Sequence, residues 1–278
     1  MDEAPAVAAH YGRSALTQTV LGALAAAGKD LNALTPADLA PLDEFHIGGR
    51  QATLELSTQL AFAPESRLLD IGSGLGGPSR HFAGEAACHV TGLDLTPAFV
   101  ETARALSRAV GLADRTRYLE GSALDMPFEH GAFDGAYMLH VGMNIADKLR
   151  LFGEIRRVLR PGARLGIYDV MRGPAQGELR FPLPWASGPE VSFVAQPQTY
   201  LAALDAAGFA VEARRCRRDF ALDALRRLRA PSAPGGDAPP ALGLHLIMGP
   251  DTPRRTAHLI ALLEADILAP VELIARAI

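Results

Sequence analysis

The fold is decided by the run Leu68-Leu69-Asp70-Ile71-Gly72-Ser73-Gly74-Leu75-Gly76-Gly77. A short apolar stretch ends at Ile71 and enters a glycine-rich turn, and a helical pattern follows through Phe82. A strand, a tight turn and a helix in this order predict a βα unit of a parallel sheet. Because the glycines carry no side chains, the turn also offers bare backbone to a ligand at the start of the helix.

Two acids flank this turn and bear on its ligand. The glycine spacing alone fits both a nicotinamide dinucleotide and S-adenosylmethionine. Asp70 lies just before the first glycine, where its charge would repel a pyrophosphate and suit an ammonium group. Asp94 ends the next predicted strand, 22 residues after Gly72, the distance typical of an acid that binds two ribose hydroxyls. A helix-capping role for Asp94 competes, although Thr96 is the better N-cap residue.

Short apolar runs alternate with helical patterns on both sides of the turn. The pattern predicts strands at 67–71, 89–94, 116–120, 133–139, 164–170, from 209 and at 244–248. Helices are predicted at 6–27 and 38–45, after Gly48-Gly49, between the strands, and twice after residue 248. In the helix at 146–159, one apolar face is predicted for Leu149, Phe152, Ile155 and Leu159. Residues 171–197 are proline-rich and carry the single tryptophan, Trp185, which predicts an ordered insertion.

Composition excludes several classes of protein. With 278 residues, of which 49% are hydrophobic and 21% charged, the chain has enough apolar surface for a full core. A formal net charge of −4 disfavours a nucleic-acid partner. Cys88 and Cys216 form no CxxC motif, so neither a zinc site nor a disulfide framework is predicted. The apolar stretch from Thr19 to Gly28 is too short to span a membrane, and we expect a cytoplasmic protein.

Five ordered motifs make residues 67–170 resemble the class I S-adenosylmethionine-dependent methyltransferases. They are the glycine turn 70–77, Gly92-Leu93-Asp94-Leu95-Thr96-Pro97, the run 121–128, Phe133-Asp134 and Val158-Leu159-Arg160-Pro161-Gly162. The resemblance implies an α/β, Rossmann-like, seven-stranded sheet whose last strand is antiparallel, and S-adenosyl-L-methionine as the cofactor. On this basis residues 1–63 form an N-terminal helical cap. Residues 64–278 form the core, with a lid insertion at 171–197 and a C-terminal strand and helices at 242–278.

The same resemblance assigns cofactor-binding residues. Their predicted set is Asp70, Gly72, Ser73 and Gly74 in the turn, Asp94 and Leu95 after the second strand, Ser122, Ala123 and Leu124 after the third, and His140 after the fourth. The chain departs from the family pattern at Ser122, where most relatives carry aspartate. We therefore expect a weaker contact to the adenine amino group there, or another acceptor.

A finer resemblance concerns the acceptor of the methyl group. The segments 43–50, 76–80 and 140–145 resemble bacterial enzymes grouped with sarcosine/dimethylglycine N-methyltransferases and ubiquinone C-methyltransferases. The resemblance favours a small-molecule acceptor, first an amine nitrogen and second the carbon or oxygen of a quinone- or phenol-like ring. A nicotinamide oxidoreductase and a cofactor-binding regulatory protein without turnover are the more distant alternatives.

Candidate chemistry lies at the carboxyl ends of the strands, where ligands of open α/β sheets bind. His140 follows the fourth strand and is the first candidate base, because an ordinary histidine accepts a proton near neutral pH. A hydrogen bond to the cofactor or to a loop carbonyl is its alternative role. His46 is the second candidate base. Predicted substrate contacts are Tyr11, Asn144, Trp185 and Phe193. Alkyl transfer from a sulfonium requires no metal, and no metal site is predicted.

Overall fold

The computed structural model describes residues 13–229 and 242–278. Its strands are β1 (Arg67–Ile71), β2 (His89–Asp94), β3 (Thr116–Glu120), β4 (Phe133–Leu139), β5 (Leu159–Arg172), β6 (Phe209–Cys216) and β7 (Leu268–Ala277). Its helices are α1 (Arg13–Ala26), α2 (Pro36–Asp43), α3 (Gly49–Leu60), α4 (Gly77–Gly84), α5 (Pro97–Ala109), α6 (Lys148–Val158), α7 (Pro197–Ala206), α8 (Arg218–Arg229), α9 (His245–Met248) and α10 (Thr252–Glu264).

The strands form one sheet in the order β3-β2-β1-β4-β5-β7-β6. β7 runs antiparallel to both of its neighbours, β5 and β6, while the pairs from β3 to β5 are parallel. The strand order reverses between β1 and β4, and such a reversal opens a crevice at the carboxyl ends of the strands. The expected seven-stranded Rossmann-like sheet with an antiparallel last strand is confirmed.

Alternation along each strand sends apolar side chains to both faces of the sheet. Leu69 and Ile71 of β1 join a cluster with α6 and α7. Leu68 of the same strand joins Tyr137 of β4 in a second cluster that includes α3 and α4. Such burial on both faces is expected of a parallel sheet covered by helices. It holds the carboxyl ends of the strands in fixed positions.

Sequence-predicted boundaries agree with the structure from β1 to β4, and β5 extends the predicted 164–170 at both ends. Two predictions near the carboxyl terminus were wrong. Residues 244–248 form the short helix α9 instead of a strand, and the chain closes with α10 and β7 instead of two helices. Residues 268–277 contain many good helix formers, but pairing with β5 and β6 on both sides imposes the extended conformation.

The predicted apolar face of α6 was also wrong in part. Leu149 is 62% exposed, whereas Leu151 is fully buried beside Phe152 and Ile155. The buried positions of this helix therefore begin at Lys148.

The N-terminal helices form a layer against α4 and α5. Thr35 and Asp38 complete a capping box at the start of α2, whose first residue is Pro36. Thr17 of α1 hydrogen-bonds Thr102 of α5 at 2.9 Å between their hydroxyl oxygens. The short connection between α2 and α3 carries His46, and its neighbour Phe45 packs close to Gly74 of the glycine turn.

Residues 171–197 cross the carboxyl edge of the sheet with little regular structure apart from a short turn at Pro189–Val191. The segment is partly buried by an apolar cluster that it shares with α8 and α10, whose members include Ile47, Leu183, Trp185, Leu222 and Leu259. In the described parts of the chain, no helix has the length and apolar character needed to cross a bilayer.

Candidate functional site

The glycine turn between β1 and α4 forms the floor of the site. Gly72 and Gly74 have φ angles of +71° and +53°, which side chains rarely tolerate. The N–H groups of Gly72 and Ser73 donate to the carbonyl of Leu93 in β2, at 2.8 and 3.1 Å. A Cβ atom on Gly72 would lie 2.3 Å from a methyl of Val141, so glycine allows the loop after β4 to pack on the turn.

Asp94 ties the turn to β2. One carboxylate oxygen accepts the N–H of Gly74 at 2.8 Å, and the other accepts the N–H of Thr96 at 2.8 Å. Thr96 is the N-cap of α5 but its side chain makes no capping hydrogen bond, contrary to the sequence interpretation. Burial raises the pKa of Asp94. Since each carboxylate oxygen has two lone pairs, acceptor capacity remains for two further donors.

Asp70 is almost fully buried under the turn. The hydroxyl of Ser79 donates to its carboxylate at 2.6 Å. Burial raises the pKa of Asp70 to about 7, against hydrogen bonds that lower it. Asp70 is therefore not a permanent negative charge at neutral pH, which weakens the electrostatic argument against a pyrophosphate at this position.

The remaining predicted cofactor residues lie at the ends of β2 and β3. Leu95 is 56% exposed and places an apolar side chain next to Asp94. Ser122, Ala123 and Leu124 are partly buried in the turn after β3. The hydroxyl of Ser122 accepts the N–H of Leu124 at 3.1 Å, which shapes this turn. The N–H of Gly121 donates to the Asp94 carbonyl at 3.0 Å and joins the two strand ends.

His140 follows β4 in a left-handed conformation with φ +56°. Such a backbone is strained for a residue with a side chain and is typical of functional sites. Its N–H donates to the Tyr168 carbonyl at 2.7 Å. Its Nε2 is buried and has no hydrogen-bond partner within residues 13–229 and 242–278. Burial, together with nearby His46, holds the pKa of His140 well below its usual value, so the ring is neutral.

His46 lies close to His140, with 6.0 Å between the ring centroids. Its Nε2 is 3.0 Å from the Gly49 carbonyl, which only accepts, and this assigns the ring proton to Nε2. Thr53 Oγ1 lies 3.1 Å from the same nitrogen and donates to Glu44 Oε2 at 2.8 Å.

This cluster is largely uncharged at neutral pH. Burial lowers the pKa of His46 to about 4. Burial raises the pKa of Glu44 to about 8, and the charge of Asp43 adds to that rise. The wall beside His140 thus carries little charge.

The insertion is tied to the loop that follows β4. The side-chain amide of Asn144 donates to the carbonyls of Trp185 and Val191 at 3.0 and 3.1 Å. The indole N–H of Trp185 donates to the Ser192 hydroxyl at 3.0 Å. The N–H of Phe193 donates to the Met143 carbonyl at 2.7 Å. Asn144, Trp185 and Phe193 are therefore brought together.

Tyr11 lies outside the described residues. Among residues 13–229 and 242–278, no group of three or more His, Cys, Asp and Glu side chains has an arrangement that holds a metal ion.

Several charged residues of the site escaped sequence reasoning. Arg80 of α4 is fully buried, and its Nη2 donates to Asp43 Oδ2 and to the Leu75 carbonyl, both at 2.6 Å. Asp169 of β5 is also fully buried and accepts the Tyr200 hydroxyl at 2.7 Å. No local pattern reveals the Arg80–Asp43 and Asp169–Tyr200 pairs, because their members lie 37 and 31 residues apart in the chain.

Lys148 is the one missed residue with a local signal. It lies three residues before Leu151 and four before Phe152, and this spacing places it on the buried face of α6. Its side chain is almost fully buried. A lysine at an apolar position of an amphipathic helix marks a polar contact inside the protein.

Comparison with known proteins agrees with this arrangement. Residues 69–167 match the family described as a methyltransferase domain. The chain is 32% identical over 114 residues to a sterol 24-C-methyltransferase of Gibberella zeae, covering 41% of this chain and 30% of that protein. It is 30% identical over 131 residues to the glycine/sarcosine/dimethylglycine N-methyltransferase of Actinopolyspora halophila, covering 47% of this chain and 23% of the relative.

The fold extends the similarity over nearly the whole chain. The crystal structure of geranyl diphosphate C-methyltransferase from Streptomyces coelicolor superposes with a TM-score of 0.69 at 17% identity, covering 97% of this chain and 94% of the other. The matched segments span less than a third of the length of either curated relative. The family match at residues 69–167 runs from β1 into β5 and includes the glycine turn, Asp94 and His140.

Proposed function

We propose that this chain, whose residues 69–167 belong to the methyltransferase domain family, transfers a methyl group from S-adenosylmethionine to a small molecule. The proposal combines that family membership with the geometry at the carboxyl ends of β1, β2 and β4. Substrate would enter between the N-terminal helices and the insertion, since His46, in the connection between α2 and α3, lies 6.0 Å from His140 between ring centroids and the insertion is hydrogen-bonded to the loop after β4.

The residues present fit S-adenosylmethionine. Asp94 has free acceptor capacity for two ribose hydroxyls, and the exposed side chain of Leu95 next to it offers apolar surface to the adenine ring. Gly72 and Gly74 keep the turn free of side chains at the methionine end. When bound, the cofactor supplies a methyl group already activated on a sulfonium. The chain itself has to align the acceptor and exclude water, and such alignment is worth about 7 to 11 kcal/mol.

The observation that carries the proposal is the unpartnered Nε2 of His140. A buried ring nitrogen without a hydrogen-bond partner is rare and needs an explanation. The neutral ring can accept a hydrogen bond or a proton from the N–H or O–H group of a methyl acceptor. His140 would thereby hold the methyl acceptor through a hydrogen bond, and because its lowered pKa makes it a weak base, it would take the proton only as positive charge develops on the acceptor during methyl transfer.

The acceptor that we propose first is an amine nitrogen. An amine attacks only as the free base, and a site with little charge lowers the pKa of an ammonium group that enters it. The neutral state of His46 and His140 and the raised pKa of Glu44 support such a site.

A second candidate is the carbon or oxygen of a quinone- or phenol-like ring. The apolar cluster shared by the insertion, α8 and α10 favours it, because Ile47 of that cluster is adjacent to His46 and Trp185 lies on its edge. A flat ring would stack on such a surface.

The test is a methyl-transfer assay with labelled S-adenosylmethionine against amines, phenols, quinols and thiols. We expect transfer to one of these classes, and His140→Gln should cut turnover most for acceptors that must lose a proton, with little change in cofactor affinity. His130→Gln, at an exposed histidine, is the matched control. Cofactor binding without transfer to any class would contradict the proposal and favour a regulatory protein. If His140→Gln instead weakens cofactor binding and lowers turnover equally with every class of acceptor, His140 contacts the cofactor.

A further inference from the structure

We propose that Lys148 and Asn144 are positioning residues that fix segment 185–193 as an immobile wall of the acceptor site. The inference rests on the proposed methyl transfer in one respect only, which is that the wall contacts the methyl acceptor. It changes the role of two residues: Asn144 was predicted to touch substrate, and Lys148 was not singled out by the sequence. It also gives this part of the predicted lid insertion the role of a fixed surface.

The ammonium group of Lys148 joins two segments that are far apart in the chain. Its Nζ donates to the carbonyl of Phe193 in the insertion at 3.1 Å, and to the carbonyl of Ile145 in the loop after β4. It also lies 5.3 Å from the centroid of the Tyr200 ring, within the range of a cation–π contact. In the part of the chain that the structure describes, no carboxylate oxygen lies within salt-bridge distance of this nitrogen.

Such a lysine is unfavourable for simple core packing. Removing an ammonium group from water is costly, and burial lowers the pKa of Lys148, although the charge of the nearby buried Asp169 opposes this shift. A methionine would fill the same space among apolar neighbours without that cost. What the lysine adds is a pair of directed hydrogen bonds that set the distance between the insertion and the loop after β4.

Asn144 makes the same connection from the surface. Its exposed side chain donates to the carbonyls of Trp185 and Val191, and the Phe193 N–H donates to the Met143 carbonyl. Every one of these bonds joins residues 143–148 to residues 185–193. His140 begins the same loop, so the wall is held in a fixed position relative to the proposed base. Misplacement of a reacting group by about 1 Å is enough to cost about a hundredfold in rate.

Trp185 provides a readout that needs no activity. It is the single tryptophan of the chain and lies within the fixed segment. We would measure quenching of its fluorescence by acrylamide, the dissociation constant of S-adenosylmethionine by calorimetry, and the Michaelis constant of the acceptor. The variants are Lys148→Met and Asn144→Ala, with Asn32→Ala at an exposed site in the N-terminal layer as the control.

Both variants should increase the quenching of Trp185 and raise the acceptor Michaelis constant, about tenfold for Lys148→Met, which loses charge-assisted hydrogen bonds. The dissociation constant of the cofactor should stay within about twofold, since these residues contact neither the glycine turn nor Asp94. The Asn32→Ala control should leave all three quantities unchanged. Asn144→Ala keeps the test valid if Lys148→Met does not fold, because Asn144 is exposed.

Unchanged quenching in folded variants would overturn the inference, and so would a cofactor affinity that falls in parallel with the acceptor affinity. If the wild-type protein methylates no acceptor, the proposed function fails, but the quenching measurement still decides whether Lys148 and Asn144 hold the segment.

Discussion

Replacement of Asp94 by alanine should weaken the binding of S-adenosylmethionine and of S-adenosylhomocysteine. The side chain accepts two backbone N–H groups at 2.8 Å, from Gly74 in the turn and from Thr96 at the start of α5, and we propose that its remaining lone pairs accept the ribose hydroxyls. Each charge-assisted hydrogen bond is worth about 1.5 to 3 kcal/mol, and water replaces part of that in a partly exposed site. We expect a net loss of about 2 to 4 kcal/mol in binding free energy, or about 30-fold to 700-fold in the dissociation constant.

Calorimetric titration of S-adenosylhomocysteine into the wild-type protein and the variant measures this loss directly. Asp94→Asn should give an intermediate value, because the amide keeps one acceptor oxygen and turns a donor toward the other backbone N–H. Asp114→Ala, at an exposed aspartate in the turn before β3, is the matched control. A 2′,3′-dideoxy analogue of S-adenosylhomocysteine distinguishes the ribose contacts from the contacts within the turn. Because it lacks both ribose hydroxyls, its affinity should be nearly the same for the wild-type protein and the variant. A dissociation constant within threefold of wild type, in a variant with unchanged thermal unfolding, would refute the ribose role and leave Asp94 as a structural acceptor of the turn.

Two further predictions concern stability. Arg80→Met should lower the free energy of unfolding in urea by about 3 to 5 kcal/mol, because it leaves the buried carboxylate of Asp43 without its partner. Lys29→Met, which breaks a surface ion pair with Asp38, should lower it by only about 0 to 1 kcal/mol. Similar losses in the two variants would contradict the reasoning. Because burial raises the pKa of Glu44 to about 8 in the folded protein, its protonated form is favoured by folding, and its contribution to stability should decline as pH rises from about 4.5 to about 8. Glu44→Gln does not titrate, so its unfolding free energy should depend less on pH across that window than that of wild type; parallel curves would show that Glu44 is not the source.

The sequence predicts the central strands well because their signals are local. β1, β2, β3 and β4 are short runs that end in glycine, aspartate or a polar turn, and helices follow β1, β2 and β4. The helix predicted between β3 and β4 was wrong, because only a turn joins these two strands. β7 escapes this reasoning because residues 268–277 are rich in helix formers, and only pairing with both β5 and β6 makes them a strand.

The residues of the candidate site likewise divide into those with a local sequence signal and those without one. Gly72, Gly74 and Asp94 could be proposed from the sequence because the turn and the βαβ unit around it fix their spacing in the chain. The partner of Arg80 lies 37 residues away and that of Tyr200 lies 31 residues away, and no periodicity predicts either pair. Lys148 stands between these cases: its place on the buried face of α6 is readable from the positions of Leu151 and Phe152, but its carbonyl partner in the insertion is not.

The buried charges also separate the two halves of the site. Arg80 joins the turn at Leu75 to the N-terminal layer at Asp43, so it bears on the cofactor half. Lys148 joins the loop after β4 to the insertion, so it bears on the acceptor half. His140 lies where the halves meet, since Val141, the next residue, packs against Gly72 and the loop that follows leads to Asn144 and Lys148. Under the proposed function, this separation would let the acceptor wall change without disturbing the glycine turn that we propose binds the cofactor.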